Sequence, residues 1–556
     1  MVRRSTHERY KNRADIYRSA RIQRSSLVFF ALSALMLVLA ACGGSGTPSS
    51  TTTLASKQVL AFPNVGITDL ATFDPAQGPD ANSAIAVGMV LSGLVRSDKN
   101  LNVIPDQATW KISGDNKVYT FYIKPNVTFS DGTPVTAQSY IDTWTRALLP
   151  SVNSPIASFY EAPIVGANAV SNGKAKTISG LQAVDAHTLQ VTLAQPTPYF
   201  LEELTTSVFF PLNMSLISQY GQTKWVNHLE GSGIGTGPFM IKTWQHSVKL
   251  VMVPNPHYYG NKTKLTEVDM YFVKDQSTAF KAYRAGQYNF AWNMTPADQT
   301  VAQTLPGFSR ASLLQSDLLF FDNSRPPFDN LALRQAFAYA TDKKELATAV
   351  FKNSVTPAQT IIPPGMPGYQ PDYPGIPYDP AKAKSLFQSV YPDPSKAPTI
   401  TFTFPSSQVT PDESAVLQQM WQTALGIQVK MQSVELSAYN TETSSNQTTH
   451  AVEFGFTQWS ADYPDPYDWL ALNLTSNAPN NNGGWKNAEF DQTVAQAETM
   501  TGAARIALYN KAEQIAITDV GWLPLDHQAT SAVIPSYVHG VTLNANGLFF
   551  DDWSNV

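Results

Sequence analysis

The chain contains 556 residues, of which 43% are hydrophobic and 15% are charged, and its formal net charge is −5. This length exceeds what one hydrophobic core usually supports, and it predicts two or three domains. The acidic balance argues against nucleic acid as a partner. The single cysteine excludes an intramolecular disulfide.

The amino-terminal segment is typical of an export signal. Residues 1–24 carry eight basic and two acidic side chains, and a largely apolar run of 15 residues, 27–41, ends in small residues before Cys42. The run is too short to span a membrane and predicts a signal peptide over residues 1–41. The sequence Leu-Ala-Ala-Cys at its end resembles a lipobox, which implies that Cys42 is acylated and anchors the mature chain to a membrane.

Behind Cys42 the composition is mostly Gly, Ser and Thr, so residues 42–56 are predicted to be the lipidated cysteine and a flexible tether. Removing residues 1–41 takes away eight of the 38 basic and two of the 43 acidic residues. The remainder, 30 basic against 41 acidic residues, has a net charge of −11. We expect the folded part to start near Lys57.

The first half of the folded part is predicted to be rich in strands, and the second half adds helices. Residues 118–123, 188–193 and 249–253 combine β-branched and aromatic side chains and predict strands. Leu333, Phe337 and their neighbours follow helical spacing, and residues 342–345 resemble the capping box of a further helix.

Residues 399–431 predict a βαβ unit with a parallel pair of strands. Apolar residues alternate from Ile400 to Phe404 and again after Gly426, and a helical pattern lies between them. Thr410 is predicted to cap this helix, with Pro411 in the first turn and Glu413 as the capping glutamate.

A further apolar strand, residues 452–457, leads into residues 459–466, with the sequence Trp-Ser-Ala-Asp-Tyr-Pro-Asp-Pro. Ligands of open α/β sheets sit beyond the carboxyl ends of strands, so Asp462 is a candidate partner for an ammonium group. A turn-capping aspartate is the alternative. The polar loop 480–485 could hydrogen-bond a ligand backbone, or could be a plain surface loop.

The sequence shows no convincing catalytic or metal-binding pattern. There is no G-x-S-x-G, no P-loop and no H-E-x-x-H, and the eight histidines are scattered. A carboxylate-pair glycosidase stays open, because two acids can meet in space without a sequence signature. We therefore expect a binding protein without enzyme activity, cofactor or metal.

Several segments stand in an order typical of one family. They are residues 72–76, 119–124, 129–137, 235–239, 255–260, 326–329, 333–336 and 459–466 with 480–482. Together they resemble the peptide/nickel class of extracytoplasmic solute-binding proteins, the oligopeptide- and dipeptide-binding lipoproteins of ABC importers. The sequence departs from the family at Gln138 and Ser139, where an acidic pair is usual. The last segment is similar to the peptide-binding branch in particular.

The resemblance implies a site in which Asp462 takes the α-ammonium group of a peptide and the main chain from Gln458 to Ser460 pairs with its backbone. The residues implied to bind ligand are Asp462, Trp459, Ser460, Gln458, Tyr463, Trp485, Asn481 and Asn482. The aromatic members of this set would be apolar walls of side-chain pockets. They could equally be core or loop aromatics.

The resemblance also implies the fold, an α/β, two-lobed periplasmic-binding-protein-like fold of the class II type with an extra inserted domain. We expect lobe I at 57–88, 229–316 and 523–556, the inserted domain at 89–228 and lobe II at 317–522. Hinge closure between the lobes would trap the ligand.

The implied function is capture of short peptides outside the cytoplasm by a lipid-anchored monomer, and their delivery to the permease and ATPase subunits of an importer. A dipeptide, nickel chelate, haem or oligosaccharide could be the cargo instead, because one fold hosts them all. A secreted hydrolase and a sensor that presents ligand to a signalling partner are alternatives of other classes.

Overall fold

The computed structural model describes residues 57–406 and 409–556. The predicted signal peptide, Cys42 and the tether lie outside these residues. Within them, none of the helices has the length and apolar character needed to cross a bilayer.

The described chain alternates between strands and helices throughout. The strands are β1 (Val59–Val65), β2 (Val95–Ser97), β3 (Val103–Pro105), β4 (Ala108–Ile112), β5 (Val118–Ile123), β6 (Leu181–Asp185), β7 (Thr188–Thr192), β8 (Phe239–Gln245), β9 (Lys249–Pro254), β10 (Glu267–Val273), β11 (Ala291–Trp292), β12 (Phe308–Phe321), β13 (Thr356–Pro357), β14 (Thr401–Pro405), β15 (Lys430–Val434), β16 (Phe454–Ser460), β17 (Leu523–Val533), β18 (Val541–Asn544) and β19 (Gly547–Phe550).

The α-helices are α1 (Ala81–Val90), α2 (Ala137–Leu148), α3 (Ala157–Tyr160), α4 (Ala167–Ser171), α5 (Phe200–Glu203), α6 (Met214–Tyr220), α7 (Gln276–Arg284), α8 (Pro296–Ala302), α9 (Leu331–Tyr339), α10 (Lys343–Ala349), α11 (Pro380–Val390), α12 (Thr410–Leu425), α13 (Leu436–Ser444), α14 (Asn446–Thr449), α15 (Pro466–Leu474), α16 (Ala488–Glu498) and α17 (Gly502–Thr518). Short 3-10 helices cover Pro75–Gln77, Ser207–Phe209, Trp225–His228 and Pro394–Lys396.

Three larger sheets carry these elements. One has the order β1-β10-β9-β8, with β1 and β10 parallel. A second, β4-β5-β7-β6, is antiparallel throughout. The third has seven strands in the order β11-β17-β12-β16-β14-β15, with β13 paired to β17. Strand β12 pairs with both β16 and β17, so it lies at the centre of this sheet.

The predicted strands and helices of the sequence analysis are confirmed with shifted ends. Strand β5 has the predicted bounds, and β7, β9 and α9 lie within a few residues of theirs. The predicted strand at 452–457 is β16, which starts two residues later and continues to Ser460. Trp459 and Ser460 therefore belong to a strand rather than to the loop behind it.

The predicted βαβ unit is present, with β14 and β15 parallel and α12 between them. Gly426 ends the helix in the left-handed conformation, at φ 72°, which glycine adopts without strain. The predicted cap is wrong: Val409, not Thr410, is the residue that precedes the helix, and its side chain makes no capping hydrogen bond. Glu413 is instead buried, at 3% exposure. The second strand begins three residues later than predicted, at Lys430.

Each larger sheet has its own apolar core. The seven-stranded sheet packs around Phe321, Phe454 and Trp421, and the antiparallel sheet packs around Phe121 and Trp144. The antiparallel sheet falls within the predicted inserted domain, and the sheet β1-β10-β9-β8 falls within predicted lobe I. The seven-stranded sheet combines strands of predicted lobe II with β11, β17 and the first part of β12 from predicted lobe I. The boundaries themselves stay a prediction.

Candidate functional site

The carboxyl-terminal half of β16 has a free edge. This strand pairs with β12 over its whole length but with β14 only through Phe454 and Gly455. Ala461 donates its amide to Leu314 on the β12 side. Because the main-chain groups of consecutive strand residues face opposite edges, the N–H and C=O groups of Gln458 and Ser460 face the edge where the described residues provide no strand partner.

A cavity of 590 Å³ lies beside this free edge. Residues from several elements of the seven-stranded sheet and its helices surround it, including Asp317, Glu413, Gln458, Trp459, Asn473, Asn482 and Gln528. Ligand pockets commonly have volumes of about 300–1,000 Å³. The structure thus brings three of the predicted site residues, Gln458, Trp459 and Asn482, to one cavity.

Asp462 follows β16 at the end of the free edge, and its side chain is exposed. Its amide donates to Oδ2 of the fully buried Asp468 at 3.1 Å, and the same oxygen accepts from Nε1 of Trp459 at 3.0 Å. Asp468 therefore ties the loop to the last part of the strand. Desolvation raises the pKa of the Asp462 carboxyl above its usual value, and a hydrogen bond from Tyr160 opposes that shift.

Tyr463 is directed away from the solvent, with 2% of it exposed. It packs among the core residues of the antiparallel sheet, and its hydroxyl is buried without a hydrogen-bond partner in the described structure. Two residues further on, Asp465 accepts two hydrogen bonds from Arg505, at 2.6 and 2.7 Å. This buried ion pair holds the loop behind Asp462 against α17.

Trp485 and Asn481 do not reach the cavity. Trp485 is 1% exposed, and its Nε1 donates to Asp519 at 2.7 Å inside the core of the seven-stranded sheet. Asn481 donates to the carbonyls of Thr475 and Trp485 and accepts from the Trp485 amide, which closes its own loop. The structure assigns both side chains to packing, the alternative that sequence left open.

Sequence reasoning missed two carboxyl groups that line this cavity, Asp317 and Glu413, and a third, Asp526, that is buried directly behind Asp317. Asp317 lies on β12, Asp526 on β17 and Glu413 in the first turn of α12. Burial raises the pKa of Asp317 to about 6 and raises the pKa values of Glu413 and Asp526 well above their usual range. The one available signal was an acid directly behind an apolar run, as at Asp526 after Leu523, Pro524 and Leu525.

Comparisons with known proteins agree with this architecture. A family model described as "Bacterial extracellular solute-binding proteins, family 5 Middle" matches residues 102–481. The oligopeptide-binding protein OppA of Bacillus subtilis (strain 168) is 28% identical over 92% of this chain and 95% of its own length. The probable deoxycholate-binding periplasmic protein YgiS of Escherichia coli (strain K12) is 30% identical over 89% of this chain and 92% of its own.

A solved structure extends the similarity to three dimensions. The Escherichia coli murein tripeptide binding protein MppA has a TM-score of 0.74 and 28% identity. The match covers 90% of this chain and 99% of that protein. The two-lobed α/β architecture predicted from sequence is therefore confirmed.

Proposed function

Because this chain belongs to the bacterial extracellular solute-binding proteins of family 5, we propose that it captures short peptides for an ABC importer. The oligopeptide-binding protein and the murein tripeptide binding protein similar to this chain support a peptide rather than another solute. The proposal gives the chain no catalytic step.

The free edge of β16 is the observation that carries this proposal. An extended peptide can add to the N–H and C=O groups of Gln458 and Ser460 as an extra strand. Such main-chain pairing does not depend on side chains, so it suits a protein that accepts peptides of varied sequence. The adjoining 590 Å³ cavity supplies space for a side chain.

Asp462 lies where this added strand would end, and it is the proposed partner of the α-ammonium group. The residue as a whole is exposed, although neighbouring atoms partly desolvate its carboxyl, and it makes no ion pair with the described Lys, Arg and His residues. A charge-assisted hydrogen bond of this kind contributes about 1.5–3 kcal/mol. An ammonium group at this position would also counter the desolvation that raises the pKa of Asp462.

Delivery to the importer completes the proposed function. Cys42 would be acylated and hold the protein on the outer face of the cell membrane, with residues 43–56 as the tether. Closure of the two predicted lobes around the peptide would create the surface that the permease recognises. The protein would act as a monomer, and the ATPase subunits would supply the energy.

Native mass spectrometry of residues 57–556 tests the cargo, because residues 56–556 form one compact unit. Co-purified peptides of a few residues would support the proposal. A sugar, chelate or haem as cargo would instead assign the protein to another branch of the family.

Calorimetry then tests the role of Asp462. We expect Asp462→Asn to weaken the binding of a peptide with an unmodified α-ammonium group at least tenfold. The same variant should have little effect on the binding of the N-acetylated peptide.

The exposed Asp393 provides a matched control, because Asp393→Asn removes an equal charge from a residue that does not line the cavity. Its side chain is 54% exposed, lies 4.0 Å from Lys396, and accepts from the amide and hydroxyl of Ser395, which an asparagine oxygen can also do. Equal affinity of Asp462→Asn and the unmodified protein for the free peptide would contradict the assignment of Asp462.

A further inference from the structure

Two of the missed carboxyl groups face each other across the central strands. Asp317 on β12 lies opposite Asp526 on β17 and opposite Gln458 on β16. Residues directly opposite each other in neighbouring strands project to the same face of a sheet. Asp526, Asp317 and Gln458 therefore form one row that leads from the interior of the sheet to the free edge.

Glutamine amides hold this row together. Nε2 of Gln528 donates to both Asp317 and Asp526 at 2.7 Å, and Nε2 of Gln458 donates to the other Asp317 oxygen at 2.7 Å. Amide groups of this kind orient a carboxylate without neutralising its charge. In residues 57–406 and 409–556, neither aspartate has a Lys or Arg partner in an ion pair.

Glu413 on α12 adds a further carboxyl that lines the cavity. Its side chain is 3% exposed, and its Oε1 is buried without a hydrogen-bond partner. Oδ1 of Asn473, which also lines the cavity, is buried and unpartnered as well. A buried acceptor without a donor costs about 1–3 kcal/mol, and more when it is charged. These oxygens point to a donor that the residues described by the structure do not supply.

The missing donor has the properties of an organic cation. No group of three or more Asp, Glu, His or Cys side chains in the described residues has a geometry suited to a metal ion. The cavity also has space for several non-hydrogen atoms, at 590 Å³. A guanidinium presents five N–H donors in a planar fork and an ammonium presents three, and both would meet spatially separated acceptors.

We propose that this cavity, through Asp317 and Glu413, with Asp526 behind Asp317, binds the basic side chain of a captured peptide, arginine above all. The inference rests on the proposed function, because the peptide must lie on the free edge of β16 to reach the cavity. Gln458 precedes Asp462 by four residues, about 13 Å along a strand. A peptide held at Asp462 passes the cavity within roughly its first four or five residues.

A set of matched peptides tests this proposal on residues 57–556. In a host tetrapeptide, each position in turn carries arginine, lysine, the neutral isostere citrulline, or glutamate, and calorimetry gives each affinity. We expect one position at which arginine binds at least tenfold more tightly than citrulline and glutamate binds most weakly. Glu413→Gln and Asp317→Asn should bring the arginine-to-citrulline ratio at that position to within threefold of one.

Glu489→Gln is the control variant, because its exposed carboxylate contacts only Lys511 at 2.8 Å on α17. It should keep the full arginine preference. Thermal melting of all three variants shows whether they are folded. Arginine and citrulline peptides of equal affinity at every position would overturn this inference and leave the proposed function intact. Failure of every peptide to bind would overturn both.

Discussion

The ring of Tyr199 stacks on the ring of Tyr463, with 5.5 Å between centroids and 11° between planes. Tyr199 follows the antiparallel sheet in the chain, whereas Tyr463 belongs to the loop behind β16. The same Tyr199 ring stacks on Tyr467 at 4.6 Å. This aromatic contact joins the predicted inserted domain to the loop that carries Asp462.

Tyr199→Ala tests whether the aromatic contact stabilises the ligand-bound arrangement. We expect ligand dissociation to accelerate about tenfold, because paired aromatic rings contribute about 0.5–1.5 kcal/mol beyond their buried area. Stopped-flow fluorescence measures the rate. Tyr119→Ala is the matched control, since Tyr119 is equally buried in the antiparallel sheet but stacks on Phe121. Equal acceleration by both variants would show that general destabilisation, not this contact, is responsible.

The buried ion pair of Arg505 and Asp465 predicts a large loss of stability on truncation. Arg505→Met leaves Asp465, which is 8% exposed, without its two charge-assisted hydrogen bonds. Breaking a buried pair in this way costs about 3–5 kcal/mol. Urea denaturation measures the change. Lys511 lies on the same helix as Arg505, and Lys511→Met breaks its exposed ion pair with Glu489. This change should cost no more than about 1 kcal/mol of stability.

A comparable loss of unfolding free energy in Arg505→Met and Lys511→Met would mean that solvent or another group stabilises the Asp465 carboxylate when Arg505 is absent. That outcome would remove the physical reason for a rigid loop behind Asp462. The expected difference also predicts weaker ligand binding by Arg505→Met, since Asp465 precedes α15 and accepts from the amide of Tyr467 as its cap.

The elements that the sequence analysis named were predicted from local patterns, because strand and helix periodicities depend on neighbouring residues. The βαβ unit, β5 and the run from β16 to Asp462 are all of this kind. Glu413 shows the limit: three residues after Thr410 it resembled a capping glutamate, yet Val409 precedes the helix and Glu413 lies beside the cavity. Tertiary packing decided its role, and no local pattern contains that information.

The pairing of Asp317 with Asp526 could not be predicted for a related reason. It depends on the register of β12 against β17, which has irregularities between Ser312 and Ser316 and between Asp317 and Leu318. A shift of one residue would have turned Asp317 to the other face of the sheet. Trp485 is a similar case, since nothing in its loop distinguishes a core ring from a pocket wall.

Lys343 predicts an unusual dependence of stability on pH. This lysine is 5% exposed, and burial lowers its pKa to about 7. Between about pH 7 and 10.5 the unfolded chain holds a proton at this position that the folded chain has lost. The contribution of Lys343 to the free energy of unfolding therefore rises with pH across this window.

Lys343→Met isolates this contribution from all other titrations. We expect the variant to gain stability relative to the unmodified protein at pH 6.5, and the gain to shrink by pH 9.5, because methionine has no charge to desolvate. Urea denaturation at the two pH values gives the difference. The hydrogen bond that Nζ of Lys343 donates to the Ala358 carbonyl, at 2.8 Å, is lost in the variant at both pH values, so its loss does not alter the trend. A difference that is independent of pH would show that Lys343 stays protonated when buried.

Proton release should accompany the binding of an arginine peptide. Burial raises the pKa values of Asp317, Glu413 and Asp526 in the free protein, to about 6 for Asp317. A guanidinium beside them favours their ionised forms and lowers these pKa values. Binding must therefore expel protons, and affinity should fall as the pH drops below about 6, where Asp317 also becomes protonated.

Calorimetry in two buffers of different ionisation enthalpy counts the released protons between pH 5 and pH 8. The citrulline peptide is the control, and it should release markedly fewer because it brings no charge to the cavity. Tyr439 also lines the cavity, but burial raises its pKa, so it stays protonated throughout this range. Release that is equal for the two peptides would assign the protons to another site, for example to Asp462 and the α-ammonium group that both peptides share.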